Sequence, residues 1–246
     1  MKKTRRPHSD LPQYIADAIR EAWPEGVIDL PVDPDDAPCR EVSRRVKAAF
    51  SRIRGAAVFY EREPEGGARW VDTSDPDEDP PDWDEEPRSY WLFFVSSTDE
   101  RLKFGTETIE PDEEGVDRRV PGEGRIGYAV AISLVAPFAV VTLNQLEVFE
   151  SGSQSEPDVE PHLFDLDGRK LDLEDHYREL VGEAAFTLLR TLRAEIVRVL
   201  GECRVAVIPQ EDLDRPVRRL RASEDVVAGV RGEPLTVQDA FFFRGV

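Results

Sequence analysis

The sequence predicts an α+β fold: a mostly antiparallel sheet of about five to six strands within residues 56–149, flanked by two N-terminal helices and a long helix near 173–200. Three observations carry this expectation. Strand-like segments rich in aromatic and β-branched residues follow one another through the middle of the chain. Segments with helical apolar spacing lie before and after them. Regular alternation of strand and helix, which would signal a parallel sheet, is missing.

Leu11 to Trp23 opens the series of elements. Leu11, Ile15, Ala18, Ile19 and Ala22 share one helical face, and Pro24 and Gly26 end it. A second helix is expected over about Arg40 to Arg54, where Val42, Val46, Ala49, Phe50 and Ile53 form the apolar stripe and Gly55 stands ready to terminate it. Strands are expected at Ala56–Glu63, Ser89–Ser96, Leu102–Ile109, Ile126–Val135 and Phe138–Phe149. Leu173 to Leu200 reads as one long helix, N-capped by Asp172, with Leu173, Tyr177, Leu180, Val181, Ala184, Leu188, Leu192, Ile196 and Val199 in one stripe; Gly182 is the place where it would break. A short strand, Val205 to Ile208, follows. Thr236 and Asp239 have the spacing of a capping box, with Ala240 to Phe243 expected to dock on the core. No linker divides the chain, so residues 1–246 are read as a single domain with an exposed acidic loop near 72–87.

Composition narrows the function classes. The chain has 246 residues, 51 acidic and 32 basic, for a formal charge of −19. Phosphate contacts need positive surface, so direct nucleic-acid binding is not expected. The 21 uncharged residues from Ile126 to Leu146 are long enough for a membrane span. Period-two alternation and Pro137 instead indicate two strands interrupted at Ala136-Pro137, and no membrane association is expected. The N-terminus is basic without a following apolar stretch, and only Cys39 and Cys203 are present. Both point to a reducing, cytoplasmic setting.

The charge is unevenly placed. Residues 61–117 hold 20 acidic and 5 basic side chains, against 9 and 11 in residues 1–60. Concentrated charge steers an oppositely charged partner. The expected function is therefore binding: an acidic protein that engages a basic protein partner, either as an immunity or antitoxin-type inhibitor or as a decoy of nucleic acid. Asp77, Glu78, Asp82, Trp83, Asp84 and Glu85 are the expected contact residues, the tryptophan as an anchor among the carboxylates. Trp70, Tyr90 and Trp91 lie in or beside the same block. The basic helix near 40–54 and the cluster Arg215, Arg218, Arg219 and Arg221 read as solvated surface.

Motifs with catalytic or cofactor meaning fail on context. Gly122-Glu-Gly124-Arg-Ile-Gly127 has the letters of a dinucleotide loop but lacks a preceding strand and a following helix, so it reads as a glycine-rich turn entering a strand. No cofactor is expected. Asp165-Leu-Asp167-Gly168 opens like a calcium loop, but position twelve is His176 instead of glutamate. A metal site built from Asp165, Asp167, Asp172 and His176, serving a metal-assisted hydrolase, is the alternative reading. A structural subunit dimerising through the long helix is the third.

Overall fold

The computed structural model describes residues 11–29, 40–64, 68–70, 88–111, 115–157, 159, 172–224, 226–227 and 234–245. In chain order these form α1 (Gln13–Ala22), β1 (Val27–Ile28), α2 (Arg40–Phe50), β2 (Ala56–Arg62), β3 (Ala68–Trp70), β4 (Tyr90–Ser97), β5 (Lys103–Pro111), β6 (Asp117–Ser133), β7 (Phe138–Phe149), α3 (Leu173–Val181), α4 (Glu183–Glu202), β8 (Ala206–Val207), α5 (Gln210–Leu213), β9 (Arg221–Ala222), β10 (Val226–Val227), α6 (Val237–Phe241) and β11 (Arg244–Gly245). The architecture is α+β. A mostly antiparallel sheet runs β3-β2-β4-β6-β7-β8, with β5 paired to β6, and only β8 joins in parallel. Six of its strands fall within residues 56–149, in agreement with the sequence.

The centre of the sheet is covered on both faces, while β5 and the outer part of β6 are largely exposed. Tyr90, Leu92 and Phe94 of β4 point into one apolar cluster, together with Ile15 and Ile19 of α1 and Phe241 to Phe243. Trp91, Phe93 and Val95 point into the other, against Val46 and Phe50 of α2 and the buried side of α4. An antiparallel sheet often leaves one face to water; here the continuous apolar run of β4 reflects burial on both.

β6 organises the sheet. It is 17 residues long. Asp117 to Arg125 pair with β5, Tyr128 to Ser133 pair with β4, and Gly122 to Ile132 pair with β7 along the opposite edge. The Gly122 to Gly127 segment therefore lies inside this strand, which corrects the turn expected there. Its glycines make room for aromatic rings. A Cβ at Gly124 would stand 2.2 Å from the Phe104 ring, and one at Gly127 would stand 2.6 Å from the Val95 carbonyl. The run of glycines is a packing requirement of a crowded strand, a demand that letter spacing does not reveal.

The long helix is also corrected. It is two helices, α3 and α4, separated at Gly182, whose φ of 80° lies in the left-handed region. That residue ends α3 and starts α4 on a new phase. The buried side of α4 is Ala185, Phe186, Leu189, Leu192, Ile196, Val199 and Leu200, so Ala184 and Leu188 yield their expected core places to the next residue along. Both expected helix caps are present. Asp172 caps α3 by accepting from the Asp175 amide at 3.0 Å, and Thr236 and Asp239 form the reciprocal capping box of α6. The chain also turns at 134–137 between β6 and β7, as Pro137 requires.

Candidate functional site: the partition of charge and an arginine-lined groove

Asp77, Glu78, Asp82, Trp83, Asp84, Glu85, Asp165 and Asp167 lie outside the described residues, as does the acidic segment 72–87. The sequence nevertheless fixes how charge divides. The described residues contain 28 acidic and 25 basic side chains; the remainder contain 23 and 7. The described elements are thus close to neutral, and most of the acid excess is carried by the segments between them.

Of the remaining expected site residues, Asp172 spends its carboxylate on the α3 cap, and His176 lies edge-on to Tyr177 at 5.3 Å. Asp175 is paired with Arg178 at 2.7 Å. No group of three or more His, Cys, Asp or Glu positioned for a metal occurs among the described residues. Tyr90 and Trp91 are core residues, each under 5% exposed, because both faces of β4 are covered. The buried side of α4, which would serve a helical dimer, faces the sheet; Leu180, the exposed apolar residue of the expected stripe, lies on α3. No helix among the described residues is long and apolar enough to cross a membrane.

Two buried ionic clusters sit at the same end of the sheet, one on each face. On the α2 side, Glu61 is 2% exposed and accepts from the Trp91 indole N–H at 3.0 Å, while Lys47 Nζ stands 2.5 Å from its other oxygen. On the opposite side, Arg88 donates two hydrogen bonds to Glu156, at 2.6 and 3.0 Å, and Arg62 donates a third at 3.0 Å. Tyr90 Oη accepts from Arg88 at 3.2 Å. Burial, aided by the Glu156 charge, pushes the Tyr60 hydroxyl well above its ordinary range against the opposing pull of Arg62 and Arg88. Bidentate guanidinium–carboxylate geometry of this kind fixes orientation as much as it contributes energy. Glu156 thereby pins the chain after β7 to the ends of β2 and β4.

A different feature has the shape of a binding site. Between α1 and residues 215–220 lies an open groove of about 1070 Å³. Ile19, Trp23, Val217 and Leu220 give it an apolar lining. Arg20, Arg215, Arg218 and Arg219 stand around it, with Glu25 as the acidic lining residue. Arg20 pairs with Asp17 at 3.0 Å and Arg215 with Asp212 at 2.8 Å. Tyr14 lies beside the second pair, and its hydroxyl is pushed up by burial and then by the Asp212 charge, with Arg215 opposing. Trp23 is half-buried, anchored by its indole N–H to the Ala240 carbonyl at 2.9 Å and edge-on to Phe243 at 5.7 Å.

Close backbone approach builds the groove. Gly26 has φ of 69°, and a Cβ there would meet the Arg219 carbonyl at 2.7 Å. Arg219 itself has φ of 69°, a left-handed conformation that costs a non-glycine residue about 1–3 kcal/mol. Arg221 N–H then donates to the Gly26 carbonyl, and β1 and β9 continue as a parallel pair. The sequence shows the arginine cluster but places it on plain surface. Only the pairing of residues 27–28 with 221–222, nearly two hundred positions apart, brings α1 against it.

No known protein family, curated protein or solved structure matches this chain.

Proposed function

We propose that the chain is a binding protein that works through its acidic segments, with Asp77, Glu78, Asp82, Trp83, Asp84 and Glu85 engaging a basic protein partner. The observation that supports this reading is the partition of charge. The described elements, with 28 acidic and 25 basic residues, nearly balance within themselves. Most of the acid excess therefore lies outside the described elements, and nine of its carboxylates fall within residues 72–87, around Trp83. An inhibitor that covers a basic toxin, in the manner of an immunity protein or antitoxin, is the concrete form of the proposal. A decoy that presents carboxylates in place of phosphates is a variant of the same electrostatics.

The test is a pull-down from the host with the full chain, followed by association kinetics over a range of salt. Exposed charges are screened over about 8 Å at physiological ionic strength, so the association rate should fall steeply as salt rises. Replacing Asp77, Asp82 and Asp84 by Asn and Glu78 by Gln should slow association and leave the melting temperature unchanged. Trp83→Ala should instead speed dissociation. A partner indifferent to salt and to all of these changes would overturn the proposal.

A further inference from the structure

We propose that the groove between α1 and residues 215–220 is a binding site for a small monophosphate ester with a flat apolar body. The inference is independent of the acidic segments. It rests on three features that meet in one place.

The first is the charge pattern. The groove is ringed by four arginines in a chain whose net charge is −19. Two of them, Arg20 and Arg215, are neutralised by Asp17 and Asp212. Arg218 and Arg219 are exposed and make no ion pair among the described residues. Guanidinium groups present planar pairs of N–H donors that match phosphate oxygens two at a time, which suits a phosphate monoester better than it suits a single point charge.

The second is the lining. Trp23 is held in place by its hydrogen bond to Ala240, and it lines the groove with Ile19, Val217 and Leu220. An indole fixed in this way is a stacking surface whose side-chain freedom has already been lost in folding. At about 1070 Å³ the groove lies at the upper end of small-molecule sites, with room for both a ring system and its phosphate.

The third is the backbone at Arg219. Its left-handed conformation is one of only two among the described non-glycine residues, the other being Arg204. The fold maintains this strained residue at the groove and places a glycine opposite, so that α1 and the arginine segment approach closely. Strain retained at a site that also has a cavity and unpaired charge is the pattern expected of a ligand clamp.

The experiment is calorimetric titration of the full chain with three flat-bodied monophosphates: adenosine monophosphate, flavin mononucleotide and pyridoxal phosphate. Adenosine and inorganic phosphate serve as the half-ligand controls. At least one monophosphate should bind in the micromolar range, with each half-ligand at least ten-fold weaker. Arg218→Ala with Arg219→Asn should weaken that binding at least ten-fold. Asparagine is chosen at 219 because it tolerates the left-handed backbone, so the melting temperature should hold or rise. Ala16→Trp, which fills the groove from α1, should abolish binding without unfolding the chain. Failure of all three monophosphates at millimolar concentration would overturn the proposal. So would binding matched by phosphate alone, or binding that survives both variants.

Discussion

Trp91 and Glu61 meet between two adjacent antiparallel strands. The indole N–H of β4 donates at 3.0 Å to a carboxylate of β2 that is almost wholly withdrawn from water, and Lys47 of α2 stands on the far oxygen. A helix, a strand and the ring of a third element are thus tied through one buried carboxylate. Such a charge is tolerable only while its partners remain.

Lys47→Met should therefore destabilise the protein, by about 1–3 kcal/mol, since it strands the Glu61 carboxylate with one neutral donor. Lys47 is partly exposed, which keeps the effect below that of a fully buried pair. Adding Glu61→Gln to Lys47→Met should recover a good part of the loss, because the amide oxygen still accepts from Trp91 and carries no charge. Urea denaturation of the two singles and the double would show the coupling; strict additivity would mean that Lys47 and Glu61 do not act as a unit.

The break at Gly182 makes a one-residue difference measurable. Leu189→Ala removes a fully buried side chain of α4 and should cost about 2–5 kcal/mol. Leu188→Ala, one position earlier and only half-buried, should cost about 1 kcal/mol or less. Equal costs in chemical denaturation would contradict the helix phase described here.

Alkali should unfold the protein in a defined window. Burial pushes the Tyr128 hydroxyl up to about 12, and burial is likewise the leading cause of the raised values of Tyr60 and Tyr177. A tyrosine whose folded-state value is raised favours the folded chain while it stays protonated. Its contribution is complete below about pH 10, the unfolded value, and is lost as pH climbs through the folded one. Stability should be flat up to about pH 10 and fall steeply from there to about pH 12. Tyrosinate absorbance beyond that of the exposed Tyr14 should then rise together with the loss of far-ultraviolet circular dichroism. Tyr128→Phe should make that fall shallower. Ionisation well before unfolding would show that these hydroxyls reach solvent in the native state.

The strand glycines should respond to their surroundings and not to nucleotides. At Gly127 the obstruction is backbone, the Val95 carbonyl, together with the Phe94 ring and Ser96. Gly127→Ala should cost about 1–3 kcal/mol. At Gly124 the obstruction is the far end of the half-buried Phe104 side chain, which is able to swing aside. Gly124→Ala should cost less, and Phe104→Leu should relieve it. Thermal melts order the two variants; the reverse order would refute this account of the strand.

How much of this was legible beforehand depends on the range of the interaction involved. Ile15 and Ile19 of α1, Val46 and Phe50 of α2 and the capping box at Thr236 are local patterns, and each is where its spacing puts it. The class of fold followed from the order of such segments. The phase of α4 was not legible, because Gly182 left open whether the helix would continue or restart. Nor was the strand character of Gly122 to Gly127, which depends on rings from β4, β5 and β7 lying over the glycines. The groove was least visible of all. Its arginines stood in plain view, but its opposite wall is α1, and no sequence period links residue 20 to residue 219.

The double engagement of β6 has a consequence in time. From Tyr128 to Ile132 it is flanked by β4 on one edge and β7 on the other, and both faces of the sheet are covered. Its backbone amides there have no edge at which to fray and no exposed face from which water can enter. Opening any of them requires pulling β6 away from β4 or β7, which disturbs both apolar clusters at once. In deuterium oxide, the amides of Val130 and Ile132 should be among the last in the molecule to exchange, at the rate of whole-chain unfolding, hours after the outer half of β5 has traded its protons.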